Sequence, residues 1–145
     1  MWIAKLKYKH DCILGNRCEK YKVALQSVVF SVFPKKIHTN KVTTKKVITS
    51  SLHYLSGEVQ NVNDFINDLK KDKSVLQLER KGEMFFLLEQ AESKAVQFYN
   101  PKLILIKPVL MDKNGFETWE VGSWEKAEVS KFVNNIRRHI NNFKL

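Results

Sequence analysis

The chain has 145 residues and a mass of 17.0 kDa, with 43% hydrophobic and 11% aromatic side chains and 25 basic against 15 acidic residues. That length fits one domain, or two small subdomains sharing a core, and such a core folds without a disulfide or structural metal; the apolar content excludes intrinsic disorder. No apolar run nears the roughly 20 residues that span a bilayer, and Met1-Trp2-Ile3-Ala4-Lys5-Leu6-Lys7 lacks a signal-peptide core and cleavage site, so a cytoplasmic protein with no membrane partner is expected.

Trp2 to Lys9 alternates apolar and basic residues and reads as a half-buried strand. His10 to Lys22 is polar, holds Gly15-Asn16, and reads as a loop or a short turn of helix. Val23 to Phe33 is a strand that Pro34 is expected to end, with Lys35 to Lys41 as a long hairpin loop and Val42 to Leu55 as the returning strand. Ser56-Gly57 breaks it. Asn61 is a candidate N-cap for an amphipathic helix over 62–72, with Val62, Phe65, Ile66 and Leu69 on one face. Val75–Arg80 and Glu83–Gln90 form a tight hairpin. Leu103 to Met111 is β-like, with Pro108 placing it at an edge or bulge, and Asp112-Lys113-Asn114-Gly115 is a turn. Phe116 to Val121 returns, Gly122-Ser123 stops it, and Ser123 caps a helix from about 124 to 141. Phe143-Lys144-Leu145 begins one more strand.

A shift of 67 residues aligns two segments without gaps. Val62 falls on Val129, Phe65 on Phe132, Ile66 on Val133 and Leu69 on Ile136, while Leu76 and Leu78 fall on Phe143 and Leu145. The expected fold is therefore α+β: tandem ferredoxin-like or ACT-like hairpin–helix–strand units on an antiparallel sheet. The division expected is a first unit over residues 1–100, with a basic N-terminal third, and a second hairpin–helix unit over 101–145, cut short at its C-terminal end.

Charge is unevenly spread. Residues 1–50 carry 11 basic and 2 acidic side chains, and residues 51–145 carry 14 and 13. This asymmetry reads either as a solvated basic surface or as a nucleic-acid-binding one, through Lys5, Lys7, Lys9, Lys35, Lys36, Lys45 and Lys46. No zinc-finger, RNP-type or helix-turn-helix pattern accompanies these lysines.

Two cysteines in a cytosolic chain read as thiols or metal ligands rather than as a disulfide. His10 and Cys12, at i and i+2, point the same way on an extended chain, and Cys18 can return to them across Gly15-Asn16. Three such ligands suit zinc or another thiophilic metal, with His53, His38 or Asp11 as a fourth. The alternatives are a redox pair, with Arg17 lowering a thiol pKa, and inert structural thiols. His53 reads more readily as a hydrogen-bonded, half-buried strand residue than as a ligand. Glu117 and Glu120 occupy opposite faces of a strand and form no acid/base dyad. No phosphate loop or catalytic motif is present, so no enzyme is expected. Trp2, Trp119 and Trp124 read as core or interface anchors. Phe85-Phe86-Leu87-Leu88, apolar on both faces, reads as a central strand or as the edge of a homodimer.

Several segments resemble the N-terminal region of archaeal transcription regulators of the bacterio-opsin-activator helix-turn-helix class: Lys9-His10-Asp11-Cys12 with Gly15-Asn16-Arg17-Cys18, Ser51-Leu52-His53, Glu83-Met84-Phe85-Phe86-Leu87-Leu88-Glu89, and Trp119-Glu120-Val121-Gly122-Ser123-Trp124. The resemblance covers most of the chain in order. It implies a sensing, ligand-binding and dimerising region, with a small-molecule or metal effector and DNA reached through a C-terminal or partner domain. The sequence departs from that pattern in carrying no helix-turn-helix after Leu145, and His10, Cys12 and Cys18 are the residues that such a sensing role would use.

Overall fold

A computed structural model describes residues 1–38, 43–92, 100–140 and 142–144. The chain opens with strand β1 (Trp2–Lys9), followed by helix α1 (Ile13–Tyr21) and the long strands β2 (Ala24–His38) and β3 (Thr43–Ser56). Helix α2 (Val59–Leu69) leads to the hairpin β4 (Val75–Lys81) and β5 (Met84–Glu92). The remaining elements are β6 (Ile104–Leu105), β7 (Val109–Met111), β8 (Glu117–Ser123), helix α3 (Lys126–His139) and β9 (Asn142–Lys144). Among the described residues nine strands form one antiparallel sheet in the order β4-β5-β3-β2-β7-β8-β1-β9, with β6 paired to β8. The α+β class and antiparallel sheet agree with the sequence pattern.

The two halves of the sheet mirror each other about the β2–β7 junction. The hairpin β2–β3 corresponds to β7–β8, α2 to α3, and the outer strand β4 to β9. The inner position that β5 fills in the first half is filled in the second by β1, which pairs with β8 from Trp2↔Ser123 to Tyr8↔Glu117 and also pairs with β9. The first strand in sequence thus completes the last unit in space, so the division at residue 100 does not follow the strand pairing. The helical stripes match as the repeat requires: Val62, Phe65, Ile66 and Leu69 are buried in one core, and Val129, Phe132, Val133 and Ile136 in the other. The repeat match at Leu145 lies outside the described residues.

Several boundaries differ from the sequence reading. Pro34 does not end β2, which continues to His38 in register with Thr43. Among the described residues β7 meets β2 only from Leu25 to Ser27, and beyond that point β2 is paired on one side alone, where a proline is tolerated. Lys35–His38 are accordingly strand rather than loop, and residues 39–42 lie outside the described residues. The segment after His10 is a nine-residue helix, capped by the Cys12 side chain, which accepts the Gly15 N–H. Glu58, not Asn61, is the N-cap of α2, and Glu125, not Ser123, that of α3; β8 runs through Gly122 and Ser123. Leu103–Met111 is two short strands interrupted around Pro108.

All three helices lie on one face of the sheet. One core gathers α1, α2, Leu25, Leu55, Phe85, Leu87 and Met111; the other gathers α3, Leu6, Tyr8, Val109, Trp119 and Val121. Register links them: Leu25 pairs with Met111, Met111 with Glu117, and Glu117 with Tyr8. Glu117 therefore stands in the row where the two cores meet, between Met111 of one and Tyr8 of the other.

Candidate functional site

Glu117 is inward-facing because it shares strand parity with Trp119 and Val121, all three of which are buried. A carboxylate in that position must be compensated. Its Oε1 meets His10 Nε2 at 2.6 Å, and its Oε2 accepts the Trp119 Nε1–H at 2.8 Å. The Cys12 thiol donates to Oε1 at 3.5 Å, while the Gly15 N–H donates to Cys12 Sγ at 3.1 Å. His10 follows the end of β1, Cys12 caps α1 and Glu117 opens β8. The ligand atoms of His10, Cys12 and Glu117 all lie within 4.8 Å of one another, and among the described residues no other set of three His, Cys, Asp or Glu side chains converges in this way.

The first turn of α1 is pressed onto the β7–β8 turn, which fixes Cys12 relative to Glu117. Gly115 sits at φ +80, and a Cβ there would come within 2.9 Å of the Gly15 carbonyl oxygen; a Cβ on Gly15 would meet Cys12 Sγ at 3.1 Å. The turn is held from inside by Asp112, whose Oδ1 accepts the Asn114 and Phe116 N–H groups. From the middle of α1, Arg17 donates to the Ile13 carbonyl and pairs with Asp72 at 3.0 Å and Asp68 at 3.5 Å, tying the helix to the end of α2.

Charge in the corner is self-consistent. Burial on its own would push the Glu117 carboxyl up, but the bond to and charge of His10, with Trp119 and Cys12, hold it below the usual carboxylate range. Burial pulls His10 down, and the Glu117 carboxylate outweighs it, leaving the imidazole above its ordinary value. The Cys12 thiol is pushed well up, first by burial and then by Glu117.

The structure brings together two of the four residues that the sequence singles out. His10 and Cys12 meet, but Cys18 and His53 do not join them. Cys18 is fully buried in the α1–α2 core, and its thiol is pushed up to about 12 by burial and by the charges of Glu117 and Asp112. Arg17 does not activate it, because the guanidinium is turned to Asp68 and Asp72. The redox reading of the two thiols loses its basis with that contact. His53 is buried elsewhere, its Nδ1 against Ser27 Oγ at 2.7 Å, its Nε2 against Ser51 Oγ at 2.6 Å, and its ring stacked on Phe85. With both nitrogens engaged and burial pushing it down to about 3, His53 is a neutral core residue, not a ligand. Asp11 bonds the Asn16 side chain at the surface, and the His38 side chain lies outside the described residues. The residue missed is Glu117. Its neighbour Glu120 lies on the opposite face and pairs with Lys107, so the two carboxylates form no dyad.

The basic residues are more scattered. Lys5 and Lys7 project from the face of β1 opposite the helices, Lys7 lies 3.8 Å from Asp112, and Lys9 is bound to Glu19 at 2.7 Å. On the β2–β3 ribbon Lys35 pairs in register with Lys46, and Lys36 with Lys45. The side chains of Lys35, Lys36 and Lys45 lie outside the described part of the structure.

Among the described residues no helix is long and apolar enough to cross a membrane. No family model, curated protein or solved structure matches the chain.

Proposed function

We propose that this chain is a cytoplasmic regulatory sensing module of a transcription regulator, not an enzyme, and that the His10–Cys12–Glu117 corner is its sensing element. The observation that carries the reading is the position of the corner. Its side chains come from β1, the head of α1 and β8, at the row where the two cores meet. A ligand held there contacts both halves and, with different affinity for two arrangements of them, shifts their balance. The resemblance of the His10–Cys18 segment to the sensing regions of helix-turn-helix regulators supports the same role, with DNA reached through a further or partner domain. In the finer fold reading, β9-β1-β8-β7 follows the strand order of a ferredoxin-like unit, and the first half repeats it with β5 in the place of β1.

The corner does not favour catalysis. His10 bonds Glu117, and burial together with the Glu117 charge keeps the Cys12 thiol protonated rather than activated. The dimerising part of the reading rests on the sheet face opposite the helices, where Val28, Phe33, Tyr54 and Met84 are exposed in a body that is otherwise two-layered.

Hydrogen exchange on the purified chain, against a panel of divalent cations, inorganic anions and nucleotides, tests the reading. One ligand is expected to protect amides on both sides of the seam, in 10–18 and in 109–119, and to lose that effect in His10→Ala. A panel in which no ligand acts through His10 refutes it.

A second reading is direct binding of nucleic acid by the β2–β3 ribbon, favoured by one observation. Like charges directly opposite one another destabilise a strand pair, yet Lys35–Lys46 and Lys36–Lys45 are adjacent cross-strand pairs, and no acidic residue lies between Glu19 and Glu58. Affinity for DNA or RNA that falls steeply with salt is the expected signature, and a flat salt response ends this reading.

A further inference from the structure

The chemistry of the corner restricts what it can hold. It offers one imidazole nitrogen, one sulfur and one carboxylate oxygen, the carboxylate buried and the other two half-buried. Sulfur and nitrogen donors disfavour magnesium and calcium, which take oxygen. An anion is disfavoured by the buried carboxylate. A divalent cation bound to one thiolate, one carboxylate and one neutral imidazole gives a cluster of zero net charge, the cheapest state for a buried site.

Distances are close to what such an ion needs. With bonds of about 2.0–2.3 Å in a tetrahedron, ligand atoms stand roughly 3.4–3.6 Å apart. Cys12 Sγ and Glu117 Oε1 are already 3.5 Å apart. His10 Nε2 and Glu117 Oε1, at 2.6 Å, have to part by about 0.8 Å. The outer supports of a metal ligand are also in place: the Trp119 N–H fixes the far oxygen of Glu117, and the Gly15 N–H bonds the sulfur, a donor that stabilises a thiolate.

We propose that His10 Nε2, Cys12 Sγ and Glu117 bind a zinc-class divalent cation with a fourth position left open, and that this ion is the effector of the sensing module. The inference rests on the functional reading above for the word effector, and on the geometry alone for the site. Binding exchanges protons for metal: the thiol gives up its hydrogen as the metal–sulfur bond forms, and the hydrogen shared between His10 and Glu117 leaves as the ion takes its place. The ion thus replaces one hydrogen bond between the end of β1 and the start of β8 with a three-way clamp that includes α1. Cys18 and His53 take no part.

Cobalt(II), a spectroscopic stand-in for zinc, tests the site on the full, reduced, metal-stripped chain. One equivalent is expected to produce a near-ultraviolet thiolate-to-cobalt band that zinc abolishes and magnesium does not. Cys12→Ser should lose the band, His10→Ala and Glu117→Gln should weaken cobalt binding at least about tenfold, and Cys18→Ala should keep the band. Should Cys12→Ser fail to fold, zinc protection of Cys12 against alkylation in the unmodified chain, read by mass spectrometry, replaces that arm. No band in the folded chain, or a band that survives Cys12→Ser and vanishes in Cys18→Ala, overturns the site. The two readings fail separately. A non-metal ligand acting through His10 with no cobalt spectrum refutes the ion and keeps the sensor, whereas cobalt binding with unchanged hydrogen exchange at the seam keeps the ion and refutes its role as effector.

Discussion

His10 and His53 both project to the helix side of the same sheet, and the contrast between their surroundings separates a chemical corner from a structural one. His53 stands between two serine hydroxyls and a phenyl ring, and burial pushes its imidazole down to about 3. His10 is also desolvated, yet the Glu117 carboxylate at 2.6 Å more than offsets that effect and raises it. Burial alone therefore does not decide what a histidine does; the charge of its partner decides. A neutral imidazole with both nitrogens occupied has nothing left to offer a ligand. The corner at Glu117 keeps a carboxylate, an imidazole and a thiol that a cation can take over together.

The largest test of this contrast is pH. His53 holds fewer protons folded than unfolded, so its contribution is complete above pH 6.5 and drains away as pH falls toward 3. The loss attributable to it reaches roughly 4 kcal/mol at the acid end. Urea unfolding from pH 7 to 4 is expected to show a steeper decline in the unmodified chain than in His53→Asn, and parallel slopes would mean that the imidazole is not neutral. Next comes the charged corner. Glu117→Leu removes the carboxylate that the Trp119 N–H and His10 both bond and should cost about 3 kcal/mol at pH 7. Glu117→Gln still offers Trp119 an oxygen and should cost less; equal losses would assign the whole effect to packing.

A third test applies the same contrast to carboxylates. Glu89 is half-buried where Glu117 is fully enclosed, and its charged neighbours are Asp72 and Glu117 itself. Burial first, and those charges second, push it up to about 7. Its folded form holds the proton longer than the unfolded form does, so stability is lost as pH rises from 4.5 through 7. Glu89→Gln should therefore raise stability at pH 8 by about 2 kcal/mol, while leaving it little changed at pH 4. A loss at pH 8 would mean that Glu89 has a cationic partner.

What could be read from the sequence was periodic and local. The stripes Val62-Phe65-Ile66-Leu69 and Val129-Phe132-Val133-Ile136 announced two helices on two cores, and the spacing of His10 and Cys12 announced that they share a direction. Helix α1 is less legible because it has little apolar stripe; a thiol cap at its start and the Arg17–Asp72 pair from its middle hold it. The pairing of β1 with β8 left no local signal, since strand alternation does not encode which strand lies alongside. Glu117 depends on that pairing, 107 residues away from His10. One local clue did exist. An acidic residue in phase with Trp119 and Val121 faces the core, and an inward carboxylate demands a partner.

The smallest effect concerns the turn that holds the corner together, where two glycines with left-handed backbones can be compared. Gly82 has φ +62 with no atom within 4 Å of where a Cβ would be, so Gly82→Ala bears the backbone penalty alone, about 1 kcal/mol. Gly115 has φ +80, and its added Cβ meets the Gly15 carbonyl oxygen, a backbone atom, at 2.9 Å. Gly115→Ala must bear the same penalty and also lift the β7–β8 turn away from α1, for a total of about 2 kcal/mol. The difference between the two variants in a thermal melt isolates the contact that seats Cys12 beside Glu117. The Gly115 variant should also show faster alkylation of Cys12, because the head of α1 is no longer clamped, and Gly82→Ala should not. Equal melting temperatures and equal alkylation rates would mean that the turn does not press on α1, and that Cys12 is positioned by its own helix alone.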